Sequence, residues 1–416
     1  MAIVRAGVTY PRGFRASGVA CGLKRSGRPD LSLITSDRDA VAAGLFTTNR
    51  VRAAPVTIGE ALLAGRADGF RGILTVSGVA NALTGPEGIA DSRALLADTE
   101  SRLGLAAGSI LPACTGVIGP RLPLDRIRGG LAGLVGGLGR GHDADRRAAH
   151  AILTTDTRPK MVAVRGRLRD GTTVRIGGIA KGSGMIAPRL GTARRHATML
   201  AFLTTDARIA PGPLGTLLAS RADRTFNMVN VDGDTSTNDT VYLLANGAAG
   251  GAPADGDPAF AALLEAALTS LARSVAGDGE GATKLLSVTV RGARSVEEAR
   301  RAARAVVGST LVKAAVFGAD PNVGRIACAL GYSGARFDPD RFDVSLRRAR
   351  SAIPLIAAGR PVPGLENGLG KRVRDLLVRL PEIPLDIDLH EGRSAATAWG
   401  CDLSYTYVQI NAAYHT

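Results

Sequence analysis

Acidic side chains are in short supply in this chain of 416 residues, where 37 Asp and Glu face 52 Lys and Arg for a formal charge of +15. Aromatic residues are scarcer still, at 4% with a single Trp. A basic excess without interleaved aromatics lacks the stacking platforms of single-strand binders, and no recognisable nucleic-acid module accompanies it, so no nucleic-acid partner is expected. Arg dispersed among Ala and Gly instead forms a solvated surface that attracts anionic metabolites. The four cysteines, Cys21, Cys114, Cys328 and Cys401, form no Cys-x-x-Cys pair. They suggest neither a disulfide framework nor a zinc site and are expected to be buried thiols. Five histidines without ligand spacing argue against a metal centre, so no metal is expected. The start, Met1-Ala-Ile-Val-Arg-Ala-Gly-Val8, lacks a basic stretch followed by a sustained apolar run, and no window is expected to approach bilayer-spanning length. A cytoplasmic location without a membrane partner follows as the expectation.

With 45% hydrophobic residues the chain can bury a substantial core as one large domain or two. Asp257-Pro258, followed by apolar residues to Leu271 and closed near Gly277, predicts a helix with Asp as N-cap and Pro in the first turn. Leu285–Val290 predicts a strand, and Ser295-Val-Glu-Glu298 has the form of a capping box opening a helix to about Gly308. Residues 130–147 and 248–257, rich in Gly, Ala, Pro and charge, are expected to be loops or linkers.

One junction carries chemistry. Lys181-Gly-Ser-Gly-Met-Ile-Ala-Pro188 precedes Ala197-Thr198-Met-Leu-Ala-Phe-Leu-Thr-Thr-Asp206. A small residue ahead of a Thr that opens an apolar, β-prone segment suits a hydroxyl that attacks its own preceding carbonyl. Cleavage would leave Thr198 with a free α-amine, of pKa roughly 7.7–8.0, so that one residue supplies nucleophile and base. Taken alone, the segment better fits the plain start of a buried strand, since any Thr preceding apolar residues could begin one. Lys181-Gly-Ser is not a phosphate loop, because no Gly-x-x-x-x-Gly leads into the Lys. Val231-Asp-Gly-Asp-Thr-Ser-Thr-Asn238 lacks the closing Glu of a calcium loop and is expected to be a metal-free scaffold turn.

Further strings follow in order along the chain: Thr47-Thr-Asn-Arg50 with Ala53-Ala-Pro-Val56, Cys114-Thr-Gly-Val-Ile-Gly119, Thr154-Thr-Asp-Thr157, Asp278-Gly-Glu-Gly-Ala-Thr-Lys284, Asp320-Pro-Asn322 and Tyr407-Val-Gln-Ile-Asn-Ala-Ala-Tyr-His-Thr416. Together with the junction they resemble the ornithine acetyltransferase family of arginine biosynthesis. That resemblance implies an α/β (α+β) fold, a stacked-sheet catalytic core with a smaller C-terminal α/β domain. It implies self-cleavage at Ala197-Thr198 into an α chain, 1–197, and a β chain, 198–416, with two precursors giving an α2β2 heterotetramer. Thr198 would be the nucleophile and Thr115 and Gly116 the oxyanion donors; Thr154, Lys181, Thr198, Glu280, Asn411 and Thr416 would contact substrate. Lys181 offers a cation to a carboxylate, Glu280 an anion to an amine, and Asn411 and Thr416 neutral hydrogen bonds.

The implied activity is glutamate N-acetyltransferase: acetyl passes from N-acetylornithine to Thr198 and then to glutamate. No cofactor is needed, and acetyl-CoA is an alternative donor in some members. Two departures stand out. Residues 189–196 fill a gap that the family spans with two residues, which makes Thr192 a rival nucleophile, although Thr198 alone precedes the Met-Leu strand. Val79 occupies the first Asn of a Ser-Gly-Asn-Ala-Asn string. A self-cleaving hydrolase of the aminopeptidase/esterase type and an uncut, non-catalytic paralogue are the other readings.

Overall fold

A computed structural model of the chain describes residues 2–4, 6–187, 190, 199–348 and 351–413. It divides into two units, Met1–Asn227 with Asp234–Leu271, and Met228–Gly233 with Ala272–Thr416. In chain order the strands are β1 (Ala2–Val4), β2 (Phe14–Val19), β3 (Leu31–Phe46), β4 (Phe70–Val79), β5 (Ile110–Val117), β6 (Lys160–Arg167), β7 (Thr173–Lys181), β8 (Leu200–Thr205), β9 (Val229–Asn230), β10 (Thr240–Ala245), β11 (Leu285–Ala293), β12 (Asp343–Arg348), β13 (Ser351–Ala357), β14 (Arg360–Pro361), β15 (Glu382–Asp388) and β16 (Ser394–Cys401). The helices are α1 (Ala54–Gly65), α2 (Gly85–Leu103), α3 (Leu124–Gly136), α4 (His142–Ala151), α5 (Pro211–Ala222), α6 (Pro258–Ala276), α7 (Val296–Gly308), α8 (Thr310–Phe317), α9 (Val323–Gly331), α10 (Gly368–Arg379) and α11 (Tyr405–Ala412).

Among the described residues the first unit holds a nine-stranded sheet in the order β1-β6-β7-β8-β10-β3-β4-β5, with β2 also paired to β3. Strand β3 serves two arms. Its second half pairs β10 and its first half pairs β2 and β4. The register with β4 breaks between Thr35 and Ala40, where Asp37, Arg38 and Asp39 stay exposed because burying three charges would be costly. The arms fold face to face. Phe14, Ile34, Ile73 and Leu111 from one arm join Ile179, Leu200, Phe202 and Tyr242 from the other in one buried cluster. Tyr242 Oη in β10 donates to the Pro112 carbonyl in β5 at 3.1 Å. Strands β8 and β10 pair in parallel and are buried along their whole length, which explains their unbroken apolar runs. Ile58, Leu95, Leu96, Ile127, Leu131 and Leu134 of α1–α3 cover the outer face of β3–β5. Leu263 and Leu271 of α6 lie over Gly166 and Gly178 of β6 and β7.

The second unit holds a seven-stranded sheet among its described residues, in the order β14-β13-β12-β15-β11-β16-β9. Helix α7 lies against β11 and β16 through Ala299, Ala302, Ala303, Val306 and Val307. Ser295 Oγ accepts from Glu298 N at 3.2 Å, so the serine half of the expected capping box forms, while the Glu298 carboxylate accepts from Arg336 Nε at 2.8 Å instead of closing the box. Asp257 Oδ1 caps α6 by accepting from Ala259 N at 2.7 Å. The sheet-on-sheet core and the smaller α/β unit match the architecture expected from the motifs.

Three expectations fail. Residues 130–147, expected as a linker, lie largely in α3 and α4. Two of the glycines that suggested a loop serve close packing instead, since a Cβ on Gly130 would stand 2.8 Å from Cys21 Cβ and one on Gly137 2.8 Å from Ser17 Oγ; on the other side of the contact, a Cβ on Gly18 in β2 would stand 2.2 Å from the Arg147 carbonyl oxygen of α4. Helix α6 is long and apolar enough to cross a membrane by composition, with a mean hydropathy of 1.4 over its apolar window, although no such window was expected; 56% of that window is buried within the protein. Its apolarity is that of a core helix. Of the cysteines expected to be buried, Cys114 and Cys401 are, Cys21 is half-buried and Cys328 is exposed. Cys328 falls off the α9 stripe of Val323, Ile326, Ala329 and Leu330 that faces inward.

The packing of α4 on β2 is tested by Gly18→Ala, which should cost about 1–3 kcal/mol because backbone, not a movable side chain, blocks the methyl. Gly129→Ala is the control. Nothing lies within 4 Å of its Cβ position inside α3, so it should stabilise by about 0.5–1 kcal/mol in the same urea titration.

Candidate active site

Three of the expected site residues, far apart in sequence, meet in the first unit. Lys181, the last residue of β7, donates from Nζ to Thr154 Oγ1 at 2.9 Å and to Thr115 Oγ1 at 3.2 Å. It is 3% exposed, so it is not the solvated lysine that a glycine-rich loop suggests. Because Lys181 supplies the proton to Thr115 Oγ1, the Thr115 hydroxyl hydrogen is left to point elsewhere, as an oxyanion donor requires. Next to it, Gly116 has φ +129°, and a Cβ there would stand 2.3 Å from the Gly78 carbonyl carbon. Only glycine lets β4 and β5 close at this point. The ladder is irregular here: Val79 bridges both Thr115 and Val117, and Ala80 N donates to the Val117 carbonyl at 2.8 Å. Val79 is half-buried and packs on the β3–β5 core, which gives the unexpected side chain an apolar role.

Lys181 has a buried electrostatic partner. Asp156 accepts from Lys160 Nζ at 2.5 Å and from Gly182 N at 2.7 Å. Its side chain and that of Lys160 are 0% and 1% exposed. Burial by itself would raise the Asp156 pKa, but Lys181 and Lys160 outweigh it and hold the carboxyl down at about 2. Asp156 is therefore a permanent anion that makes two buried lysines tolerable. Burial pushes the neighbouring Cys114 thiol up to about 12, so it is an inert packing group.

The segment expected as a metal-free scaffold turn ties the same region together. Asn238 Nδ2 donates to the Ala80 carbonyl at 2.6 Å and to the Cys114 carbonyl at 2.9 Å. Thr47 Oγ1 donates to the Ser236 carbonyl at 2.6 Å, and Ala53 N to the Thr237 carbonyl at 3.0 Å. The Thr47–Val56 string is thus stitched to the turn. Among the described residues no group of three or more His, Cys, Asp or Glu side chains could hold a metal ion.

In the second unit the structure brings Glu280 and Asn411 together, with Asn411 Nδ2 donating to Glu280 Oε2 at 2.9 Å. The glycine-rich string around Glu280 is fastened to the end of the chain: Ser404 Oγ donates to the Gly281 carbonyl at 2.6 Å, and Asp402 accepts from the Thr283 and Lys284 amides at 2.8 and 2.9 Å. Ala197, Thr198, the rival Thr192 and Thr416 lie outside the described residues. Chain description resumes at Met199, which is fully buried and whose carbonyl accepts from Thr240 N at 2.9 Å. Asp156, Lys160 and Asn238 are functional supports that the motif analysis did not select. A signal existed for each. Asp156 and Asn238 sit inside quoted strings, and Lys160 follows Asp156 at i+4.

A profile of the ArgJ family matches residues 15–416. A protein of Symbiobacterium thermophilum named arginine biosynthesis bifunctional protein ArgJ is 46% identical, over 99% of this chain and 98% of its own length. A Methanocaldococcus jannaschii protein named glutamate N-acetyltransferase is 42% identical over 100% of both. A solved chain of Mycobacterium tuberculosis ornithine acetyltransferase, complexed with ornithine, is 42% identical with a TM-score of 0.43, covering 46% of this chain and 99% of that one.

The support role of Asp156 makes a stability prediction. Asp156→Asn leaves Lys160 and Lys181 buried without their carboxylate and should cost about 3–5 kcal/mol at pH 7. In the wild type the native pKa lies below the ordinary 3.8. The unfolded state therefore takes up the proton first as acid is added, and the stabilisation fades as pH falls from about 4 to about 2. Denaturant midpoints across that window should slope steeply for the wild type and less for the variant.

Proposed function

The chain belongs to the ArgJ family, and on that premise we propose that it is a glutamate N-acetyltransferase of arginine biosynthesis that works through an acetyl-threonine intermediate. The observation that carries this reading is the meeting of Thr115, Thr154 and Lys181, three positions that the motifs assign to one site and that share direct hydrogen bonds. Thr198 is the proposed nucleophile, freed by cleavage after Ala197. Its α-amine takes the hydroxyl proton while Oγ bonds to the acetyl carbonyl carbon of N-acetylornithine. The carbonyl oxygen, now negative, rests on the Thr115 hydroxyl and the Gly116 amide. Collapse breaks the C–N bond, and ornithine leaves with the proton. The amine of glutamate then attacks the acetyl ester in reverse order and carries the acetyl group away.

Substrate contacts are proposed for Thr154, Lys181, Glu280, Asn411 and Thr416. Lys181 suits a substrate carboxylate, and Glu280, whose carboxylate already takes one amide hydrogen from Asn411, suits an ammonium group. The chemistry runs without a cofactor, and acetyl-CoA is the proposed second donor, in keeping with relatives named bifunctional. Four free thiols suit a reducing compartment, so the cytoplasm is the proposed location, with two cleaved precursors assembling as α2β2.

Self-cleavage separates this reading from an uncut paralogue. Intact mass should show Met1–Ala197 and Thr198–Thr416, and Thr198→Ala should remain one chain; a cut before Thr192 would move the nucleophile. Labelled ornithine should exchange into N-acetylornithine without glutamate, which a direct transfer would not allow. A bulky residue at 116 would displace the Gly78 backbone, so the oxyanion test is Thr115→Val. It should lower kcat by about 10²–10³-fold, and unchanged turnover would put the donor elsewhere.

A further inference from the structure

The Ser-Gly-Asn-Ala-Asn string holds one residue that the site has not used. Its first Asn is Val79 in this chain, but its second is present as Asn81, completely buried and at φ +51°. Asn tolerates such left-handed backbone better than most residues. Its side chain is given over to the start of α2. Nδ2 donates to the Gly88 carbonyl at 2.9 Å and to Ser92 Oγ at 2.8 Å, and Oδ1 accepts from Thr84 Oγ1 at 2.8 Å. Thr84 stands at the N-cap of α2 yet makes no side-chain cap; its hydroxyl goes to Asn81 instead. A Cβ on Gly88 would stand 2.6 Å from Asn81 Oδ1, so the helix closes directly onto this amide. The Asn81 carbonyl accepts from Ala54 N at 3.0 Å, which fastens it to the start of α1 as well.

Asn81 also lies between two bonds that reach the other strand of the site. Ala80 N donates to the Val117 carbonyl at 2.8 Å, and Gly119 N donates to the Ala82 carbonyl at 3.1 Å. These bonds carry the pairing of β4 with β5 past the irregularity at Val79. At that irregularity Gly78 stands opposite Gly116, with φ of +107° and +129°. Glycine adopts such angles without a Cβ to limit them, so neither residue holds its own direction. The direction of the Gly116 amide is therefore set by what holds the backbone on either side. Before it, the regular ladder does so, with Ser77 opposite Thr115. Beyond it, residues 80–84 do so, and Asn81 fastens them to α1 and α2.

We infer that Asn81 is a positioning residue for the oxyanion donor at Gly116: by anchoring residues 80–84 to the start of α2, it fixes the backbone that aims the Gly116 N–H. It touches no reacting atom. An amide that must meet the charge developing on a carbonyl oxygen serves only over a narrow range of distance and direction. A misplacement of about 1 Å caused from outside the reacting centre can cost about 10²-fold in rate.

The inference rests on Gly116 being an oxyanion donor, and the two are tested separately. Asn81→Gly keeps the left-handed backbone accessible and removes the anchor. Measured per cleaved chain, kcat and kcat/KM for acetyl transfer should fall together by about 10²-fold, the pattern of an interaction made in the transition state alone. Amide exchange read by mass spectrometry should quicken in residues 79–84 and 115–119 and stay unchanged in β8 and β10. Ser92→Ala removes one of the two acceptors of Asn81 Nδ2. It should move both readouts in the same direction, with kcat lower by about two- to tenfold, and it decides the matter if Asn81→Gly does not fold. Unchanged kcat, a rise in KM with kcat kept, or exchange that quickens throughout the sheet overturns the inference. Thr115→Val with unchanged turnover overturns the oxyanion reading itself, whatever Asn81→Gly does.

Discussion

Much of the first unit's site depends on one carboxylate that never sees water. Asp156 lies between Lys160 and the Gly182 amide, and its field holds Lys181 in place at the end of β7. Removing a lysine from water is expensive, and without an internal anion Lys181 would turn outward and abandon Thr115 and Thr154. The fixed anion and the hydroxyls it indirectly orients form one preorganised polar cluster inside an apolar sandwich, where each dipole acts with little screening.

Backbone geometry is fixed by amide and glycine rather than by charge. Asn238 grips the carbonyls of Ala80 and Cys114 at once, and so locks the ladder irregularity around Val79 and Gly116. The bulge re-aims β5 at Thr115 and Gly116, the proposed oxyanion donors. In the second unit the Glu280 string is fixed similarly by Asp402 and Ser404, two residues of the closing segment. Both regions thus rest on short polar side chains that satisfy main-chain groups over long sequence separations.

What was legible in the amino-acid order follows from range. Ser295 and Asp257 announce their helices because a cap acts over three residues, and both caps form as expected. The strings around Thr115, Thr154, Lys181, Glu280 and Asn411 stood out by their resemblance to one family, not by composition or spacing. Helices α3 and α4 were missed because small residues there serve contacts that local order does not encode, such as Gly130 against Cys21. Burial of Lys181 was missed for the same reason: nothing near it in sequence names Asp156 as its partner. Helix α6 was legible as an apolar helix from Pro258 to Leu271, but not its bilayer-spanning length, which serves the core, where Leu263 and Leu271 lie over Gly166 and Gly178.

The strand order carries a consequence for the proposed cut before Thr198. β8 and β10 both follow Thr198, yet they occupy the middle of the large sheet, with β7 on one side and β3 on the other, and both of those precede Ala197. The two products are interleaved like the fingers of clasped hands. One fragment cannot leave without stripping two complete ladders, β7 from β8 and β10 from β3, along with the aromatic cluster behind them. A cut there would create a new amine while the two ladders still hold the halves together, and neither half alone would keep the large sheet.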